Sequence, residues 1–530
     1  MTAKTLVELP SELLHHTLSF LDSHDLVRVR KTCKTLKEIV DDSEMLQYTI
    51  DLGYFQMNPG GSSEEDVPPA MRRERLRLHD AARQHVEFKL KRTLPLPMSG
   101  LARVDAFGGG IYGSAGENCI HFVRLPPDAS DSGDLSHSHD WSHPVDTANL
   151  ANFTFCAAQD LLVVVARSPD LRSHAYEIHL KSLTTNDTHP DAAQPFLKAL
   201  DKHDIDHKIL NTVGCAKVQI IRNYVSMLSW ADVANVDALY SIQMWDWKSK
   251  KGYQFNLSFP HDISDYSFIT EDKFLVFFTS GSMKIYSIDD KSKLPQCTAT
   301  ISLPSLVDDF SYTDVFISEH PTPSSMFPEF RRSHPSCSFH PSADDGLIAI
   351  LVWVTRTNTD HSLYYRFVVR RSAILELESL FVRTYNQILD SILPWSMWGP
   401  QHTSWFRVQL NEDWHTSLCG FRTVESSNEF SPHHLAEGPR RLYIRDFNPH
   451  IAWNYDAVDK SGWRGRIVPG MMDRTISYPF TEPLGHALTY RETLSEELFD
   501  VNEIFSDESR ILLVKKSDSS ALEKIDVLVF

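Results

Sequence analysis

The first fifty residues place apolar side chains with the period of an α-helix. Pro10 suits a first helical turn, where its missing N–H has no partner to lose and its fixed φ is helical. A polar break at 22–25 separates two series of apolar positions, which are Leu13, Leu14, Thr17, Leu18 and Leu21, then Leu26, Val29, Cys33, Leu36 and Val40. The pattern predicts two amphipathic helices and a further short helical turn within 44–52. Ser23 or Asp25 is expected to cap the second helix, because their oxygens can accept backbone N–H groups.

These short helices make a small core. Domains of this size usually need a disulfide, a metal or a partner to be stable. The stretch holds a single cysteine and no metal-ligand spacing. A partner protein is therefore the expected source of stability, and the alternative is a helical hairpin that packs on the rest of its own chain.

The spacing of the Leu-Pro pair, the leucine pair and the Asp-Leu pair resembles an F-box. The matching positions are Leu9, Pro10, Glu12, Leu13, Leu14, Leu18, Phe20, Leu21, Asp22, Asp25, Leu26, Val29, Cys33, Leu36, Ser43 and Leu46. The resemblance implies that the helices bury an apolar face against the Skp-type adaptor of a cullin-RING ubiquitin ligase. The residues it implies for adaptor binding are Leu9, Pro10, Leu13, Leu14, Leu18, Leu21, Leu26, Val29, Cys33, Leu36 and Leu46.

A linker rich in Gly, Ser, Pro and acid follows at residues 56–69. One helix is then predicted from about Ala70 to Phe88, with five arginines around its apolar positions. A basic helix can bind nucleic acid or a membrane surface. The net charge of −18 and the pI near 5.7 favour instead a bridging helix with a solvated arginine face, and they argue against a general nucleic-acid binder.

From Ser99 onward the pattern predicts no long helix. It repeats a unit of a short strand, a strongly apolar strand and an alternating strand. Seven copies occupy residues 99–125, 152–183, 214–247, 265–290, 336–370, 404–449 and 500–530. Such a repeat predicts an all-β domain, a seven-bladed β-propeller, because each small sheet is covered by its neighbours in a closed ring. The predicted domains are an all-α F-box at 1–52, a linker and bridging helix at 53–98, and a WD-like propeller at 99–530.

The last repeat lacks an outer strand of its own. We predict that a strand within Phe88–Leu96 fills this place and clasps the ring. Trp245-Asp246 and Arg445-Asp446 resemble the end of a WD repeat, although the full Gly-His…Trp-Asp signature is missing.

Cysteine usage and hydropathy indicate the compartment. Seven cysteines are spread without a CxxC, which is typical of a reduced intracellular protein. The first residues lack the basic flank and apolar core of a secretory signal, and no stretch approaches eighteen apolar residues. A cytoplasmic or nuclear protein without a membrane span is expected.

Three clusters contain residue types that are suited to a binding site. The glycine-rich stretch 107–116 lacks the Lys and the following helix of a phosphate loop, so it is predicted to be a turn between strands. A polar loop carries the potential metal ligands His137, His139, Asp140 and His143, and loop composition is favoured there over a metal site. Trp395, Trp398, Trp405 and Trp414 could form an exposed interface or lie buried in a blade, and the sequence leaves both open.

No catalytic motif was found. The sequence therefore predicts a non-enzymatic substrate receptor without cofactor or metal. Its F-box would bind the Skp-type adaptor of a cullin-RING ligase, and its propeller an unidentified substrate protein, with no nucleic acid or membrane as partner. One alternative is a propeller interaction scaffold not linked to ubiquitination. Another is a propeller enzyme or lectin that acts on small molecules.

Overall fold

The structure is a computed structural model. It describes residues 9–60, 67–94, 104–125, 140–170, 173–201, 210–233, 236–259, 263–318, 339–342, 345–357, 359, 361–385, 391–408, 413–416, 418–427, 438–450, 465–471, 476–517 and 521–530. Its N-terminal part is helical, and strands dominate from residue 104 onward. The elements that precede residue 104 are α1 (Ser11–Leu18), α2 (Ser23–Arg30), α3 (Lys34–Asp42), α4 (Glu44–Phe55), β1 (Met57–Pro59), α5 (Pro69–His85) and β2 (Leu90–Leu94).

Seven sheets of four or five strands follow one another along the chain, as predicted for a seven-bladed propeller. Blades one to three consist of β3 (Asp105–Gly108), β4 (Ile111–Ala115), β5 (Cys119–Arg124) and β6 (Asp140–Pro144); β7 (Leu150–Cys156), β8 (Leu161–Arg167), β9 (His174–Ser182) and β10 (Phe196–Asp201); and β11 (Leu210–Ile221), β12 (Tyr224–Val233), β13 (Val236–Asp246) and β14 (Gln254–Phe259). Within each of these blades the neighbouring strands are antiparallel.

The remaining four blades carry the irregular features. Their strands are β15 (Ile263–Phe268), β16 (Lys273–Phe278), β17 (Ser282–Ser287) and β18 (Gln296–Ser302) in blade four; β19 (Phe310–Ile317), β21 (Leu347–Arg356), β22 (Ser362–Arg370) and β23 (Thr403–Val408) in blade five; β25 (Leu418–Cys419), β26 (Arg422–Ser427), β27 (Arg440–Asp446), β28 (Arg466–Val468) and β29 (Tyr490–Phe499) in blade six; and β30 (Glu503–Ser506), β31 (Arg510–Lys516) and β32 (Leu522–Val529) in blade seven. Blade seven also contains β24 (Asp413–Thr416), which is parallel to β30. The short strand β20 (Phe339–Pro341) pairs with β1 instead of joining a blade.

The core of the propeller lies between successive blades. Second strands such as β8 and β16 are buried on both faces, which explains their continuous rather than alternating apolar sequence. Blades one and seven share one such cluster, in which Phe107 and Tyr112 pack on Phe505 and Leu512. The propeller is therefore closed by apolar packing of the same kind as that between its other neighbouring blades.

The predicted clasp is confirmed. Strand β2 pairs antiparallel with β32, from Leu90 opposite Val529 to Leu94 opposite Ile525. Leu94 is buried in the cluster that joins blades seven and one. The outer strand of the last blade thus comes from the segment that precedes the first blade.

The predicted boundaries of the fifth and sixth repeats were wrong. The first strand of blade five is β19, which lies upstream of 336–370, and residues 403–408 form its outer strand rather than the start of the sixth repeat. The expectation of no long helix beyond Ser99 was also wrong, because α6 spans Arg371–Tyr385 between β22 and β23. It buries Ile374, Leu377 and Phe381 against blades four and five, so its apolar face serves the propeller core.

Within the described ranges, no helix combines the length and the hydrophobicity needed to cross a membrane.

Candidate adaptor-binding site

Four helices, rather than the predicted three, build the N-terminal domain. The expected second helix is split, because residues 31–33 interrupt it between α2 and α3. Asp22 caps α2 by accepting the N–H of Asp25 at 2.8 Å, which corrects the prediction of Ser23 or Asp25. Pro10 stands one position before α1, as its N-cap residue. The polar break at 22–25 therefore starts a helix and redirects the chain.

The four helices enclose a core of their own. Its buried side chains are Leu14, Leu18, Leu26, Leu36, Val40 and Leu46, with Leu9, Leu21, Val29, Ile39 and Ile50 partly buried around them. Most of the apolar positions implied for adaptor binding therefore pack on one another. Five of them, Leu14, Leu18, Leu26, Leu36 and Leu46, are at most 7% exposed.

Other predicted residues face outward. Pro10, Leu13 and Cys33 are exposed, and the exposed fraction of Leu13 is 51%. Phe20 is more exposed still, at 76%, and its ring packs edge-on against His16 at 4.9 Å between centroids. Phe20 matches the F-box pattern but is not among the residues predicted to contact the adaptor. The sequence signal for it is the seven-residue step from Leu13, the length of two helical turns, although Phe20 follows the end of α1 at Leu18.

A groove lies between α1 and α3. It is lined by Glu12 and His15 of α1, by Leu9 just before that helix, and by Thr35, Glu38 and Ile39 of α3. His15 Nε2 lies 2.5 Å from Ser43 Oγ, and Ser43 in turn caps α4 by accepting the N–H of Leu46. This contact fixes α1 against the start of α4.

Helix α5 is held against α4 by ion pairs. Arg73 Nε donates to Asp51 Oδ2 at 2.8 Å, and Arg77 Nε donates to the same oxygen at 2.8 Å. Arg73 also reaches Glu44 at 3.2 Å. Burial lowers the pKa of Arg73, but the hydrogen bonds and charges of Asp51 and Glu44 outweigh it and raise the pKa. Part of the arginine face that was predicted to be solvated therefore joins two helices.

The opposite side of α5 enters the propeller. Arg422, at the start of β26, is buried between Asp446 and Asp80, and its Nε donates to Asp446 Oδ2 at 2.6 Å. Burial lowers the pKa of Arg422, but the two carboxylates outweigh it and raise the pKa above its ordinary value. The buried Arg83 lies over the ring of Phe530 at 5.6 Å. Helix α5 is thus bound to the propeller by a cluster of buried, desolvated ions.

A second set of contacts joins α4 to the propeller. Strand β1 pairs with β20, and the carbonyl of Tyr54 accepts from Asn448 Nδ2 at 2.9 Å. The ring of Tyr54 stacks on His450 at 5.7 Å. Since α4 carries the core residue Leu46, the N-terminal helices are attached to the propeller at two places.

A buried histidine makes this junction sensitive to pH. Burial, with the charges of Arg83, Arg422 and Lys89 and against that of Glu508, holds the pKa of His79 well below its ordinary value of 6.5. The unfolded chain therefore binds this proton more tightly than the folded one. The stabilisation from neutral His79 is complete above pH 6.5 and falls as the pH drops, by about 1 kcal/mol between pH 6.5 and 5.5.

The check is urea unfolding of the wild type and of His79→Leu across this pH range. Asp507, whose pKa burial raises to about 6, contributes a slope of opposite sign in both proteins. The difference between the two proteins therefore isolates His79. The matched change at the exposed His85, His85→Leu, should keep the wild-type slope. Equal slopes for His79→Leu and the wild type would contradict the assignment.

The glycine-rich stretch and part of the histidine cluster lie within the described residues. Gly109 and Gly110, with φ of 56° and 67°, form the turn between β3 and β4, as predicted. His143 is buried and its Nε2 lies 2.7 Å from the carbonyl oxygen of Leu183, while His137 and His139 lie outside the described residues.

The tryptophan cluster is buried where the structure describes its side chains. Trp395, Trp398 and Trp405 are at most 2% exposed and pack edge to face on one another, whereas the side chain of Trp414 lies outside the described part. For these three tryptophans the core alternative is correct.

Comparison with known proteins gives one family match and several solved structures of low identity. Residues 6–48 match the model of the F-box domain. Among solved structures, the β-propeller domain of Cps50 (Swd1) from Myceliophteria thermophila is 10% identical, with 83% of this chain and 100% of that chain covered and a TM-score of 0.36. For the WD40 domain of SCAP from fission yeast the values are 8%, 83%, 98% and 0.32, and for the WD40 β-propeller domain of Doa1 they are 10%, 52%, 71% and 0.27.

No curated protein matches the chain. An F-box suggests binding to a Skp-type adaptor, a propeller suggests protein–protein interaction, and both are typically non-enzymatic. The chain therefore carries an F-box domain at residues 6–48 followed by a seven-bladed β-propeller.

Proposed function

We propose that this protein is the substrate receptor of a cullin-RING ubiquitin ligase. Its F-box binds the Skp-type adaptor, and its propeller holds a substrate protein for ubiquitination. The observation that carries the proposal is the exposure of two apolar side chains, Leu13 on α1 and Phe20 in the turn after it, outside a completed helical core. Apolar side chains that a small domain leaves together on its surface are typical of a docking site.

The implied adaptor-binding residues then have two roles. In this proposal the adaptor is contacted directly by the exposed and half-buried residues, which are Pro10, Leu13, Cys33, Leu9, Leu21, Val29 and Phe20. The buried leucines at 14, 18, 26, 36 and 46 support that surface from within the domain. In this proposal residues 1–52 bind the adaptor, 53–98 connect, and 99–530 form the propeller, with β2 supplied to the ring by the connecting segment.

The mechanism we propose is proximity. Ubiquitin transfer comes from other subunits, so the receptor acts by raising the effective concentration of substrate lysines near the charged conjugating enzyme. The two attachments of the F-box to the propeller support this role, because they limit how far the substrate can swing. The spread of seven cysteines without a CxxC supports a reduced cytoplasmic or nuclear compartment.

The test is adaptor binding by the full chain. Leu13→Ala with Phe20→Ala should weaken binding to a purified Skp-type adaptor at least about tenfold, because both side chains would be buried at the centre of the contact. Since both are exposed, the melting temperature should change little.

A matched control uses two exposed apolar residues of α5. Met71→Ala with Leu78→Ala removes side chains that are 50% and 58% exposed and should leave adaptor binding intact. If the wild-type protein does not bind the adaptor, the protein is an interaction scaffold not linked to ubiquitination. If the variant with Leu13→Ala and Phe20→Ala binds as well as the control, these two side chains are not the contact.

A further inference from the structure

Five exposed apolar side chains lie on segments that pack beside the outer strands of blades four and five. We call this group the rim patch; its members are Ile392, Met397, Met471, Ile476 and Tyr478. Their exposed fractions range from 42% for Met397 to 62% for Met471 and Tyr478. Single exposed apolar residues are ordinary on a protein surface, whereas several in one region of the surface are typical of an interaction site.

The rim patch rests on the buried tryptophans. Ile476 bridges to Pro483, and the carbonyl of Pro483 accepts from Trp395 Nε1 at 2.7 Å. Trp395 starts the turn that ends at Met397. Met471 bridges to His486 in the same segment. The exposed side chains are therefore presented by a packed scaffold, which lowers the entropy that binding would cost.

Tyr478 lies beside the start of β19. Its ring packs edge-on against Phe310 at 5.3 Å, and its carbonyl accepts from Tyr365 Oη at 3.1 Å. Residues 303–309, which join blade four to blade five, lie beside it. Helix α5 reaches the propeller at Arg422, where the first and second strands of blade six join, whereas Tyr478 packs at Phe310, where the first strand of blade five begins. These are opposite ends of a first strand, so we expect a ligand at Tyr478 not to compete with an adaptor on the F-box.

Carboxylates flank the rim patch near Tyr478. The N–H of Val307, next to Asp308, donates to the carbonyl of Pro479 at 3.0 Å. Glu482 accepts the N–H of Ser305 at 2.8 Å. Among the described residues, neither Asp308 nor Glu482 forms an ion pair, whereas the neighbouring Asp309 is paired with Arg356 at 3.2 Å. Two negative charges are thus left beside an exposed aromatic ring.

We propose that the rim patch binds an extended segment of a partner protein that carries apolar anchors beside lysine or arginine. The anchors would cover Ile476 and Tyr478, and the cation would face Asp308 and Glu482. The net charge of −18 favours such a cationic segment. The rim patch is then the surface on which the proposed receptor holds its substrate. This inference rests on the proposed function only in that the protein carrying the bound segment is then ubiquitinated.

The experiment selects peptides from a displayed library of random dodecapeptides on the intact protein. The affinities of the selected peptides are then measured by fluorescence anisotropy. We expect a consensus of aliphatic or aromatic residues next to lysine or arginine. Tyr478→Ser or Ile476→Ser should weaken binding about tenfold or more, as expected for a central anchor. Asp308→Lys should weaken it several-fold, and added salt should reduce the effect of that change.

Matched controls lie elsewhere on the propeller. Leu498→Ser removes a side chain that is 59% exposed on blade six, and Glu523→Lys reverses an exposed charge on blade seven. Both should bind within about twofold of the wild type. An acidic consensus, peptides that bind Tyr478→Ser and Leu498→Ser equally, or the absence of any peptide that depends on Tyr478 overturns the proposal.

Self-association would also overturn it. If light scattering shows a dimer that Tyr478→Ser dissociates, the rim patch binds a second copy of the chain instead. Adaptor binding is measured separately on the same variants and should be unchanged. Peptide binding without adaptor binding would refute the proposed ligase role and leave the rim patch proposal standing.

Discussion

Replacing Asp80 by alanine is expected to destabilise the junction between α5 and the propeller by about 3–5 kcal/mol. Asp80 and Asp446 share the buried guanidinium of Arg422. The loss of Asp80 leaves a desolvated cation with one carboxylate instead of two, and a buried charge that loses its partner costs far more than a surface pair. Asp80→Asn, which keeps the volume and one hydrogen-bond acceptor, should cost less.

Two spectroscopic probes can locate this loss. All eleven tryptophans follow residue 140, so tryptophan fluorescence reports the propeller. Helical ellipticity reports mainly the N-terminal helices, with a smaller share from α6. Urea unfolding of Asp80→Ala should therefore show the helical signal melting before the fluorescence signal, whereas the wild-type transitions lie closer together.

The control for this prediction lies on the same helix. Glu74 is exposed, so Glu74→Ala should change the unfolding free energy by less than about 0.5 kcal/mol. If Asp80→Ala resembles Glu74→Ala, the ion cluster does not hold the F-box to the ring.

The sequence predicted the parts of this fold that depend on local periodicity. The leucine spacing of the F-box, the continuous apolar second strands such as β16, and the clasp from residues before the first blade were all readable, because burial on two faces and ring closure leave a direct mark on the residues. The fifth blade was misplaced because 29 residues separate the end of β19 from the start of β21, so its inner strand falls outside the expected unit.

The junction and the rim patch could not be read in this way. Asp80 and Arg422 are 342 positions apart, and nothing in the pattern of α5 distinguishes Asp80 from the solvated charges around it. The tryptophan-rich stretch signalled an important region, but composition does not tell whether such rings are buried. In the structure Trp395 is buried, whereas Tyr478 and Ile476 are exposed. The sequence around these two residues carries no distinctive signal.

Leu94→Ala is expected to lower the stability of the propeller by about 2–5 kcal/mol, the usual cost of emptying a buried leucine site. Leu94 is 2% exposed and packs with Ile525 and Phe107 in the cluster that joins blade seven to blade one. The substitution therefore weakens the outer strand of the last blade and the contact that closes the ring. In a closed ring each blade is covered by two neighbours, so opening one interface exposes the faces of both blades beside it.

Urea unfolding followed by tryptophan fluorescence measures this loss, and hydrogen exchange of the amides in β32 locates it. Lys91→Ala is the matched control on the same strand. Lys91 makes an exposed ion pair with Glu497 and lies over the ring of Phe88 at 5.7 Å, and exposed contacts of these kinds contribute about 1 kcal/mol or less each. In Leu94→Ala the amides that face β2 should exchange faster than those that face β31, since β31 is a central strand with its own partners. Uniformly faster exchange across all seven blades would mean that the clasp acts on the whole ring at once, and unchanged exchange in β32 would mean that it does not close the ring.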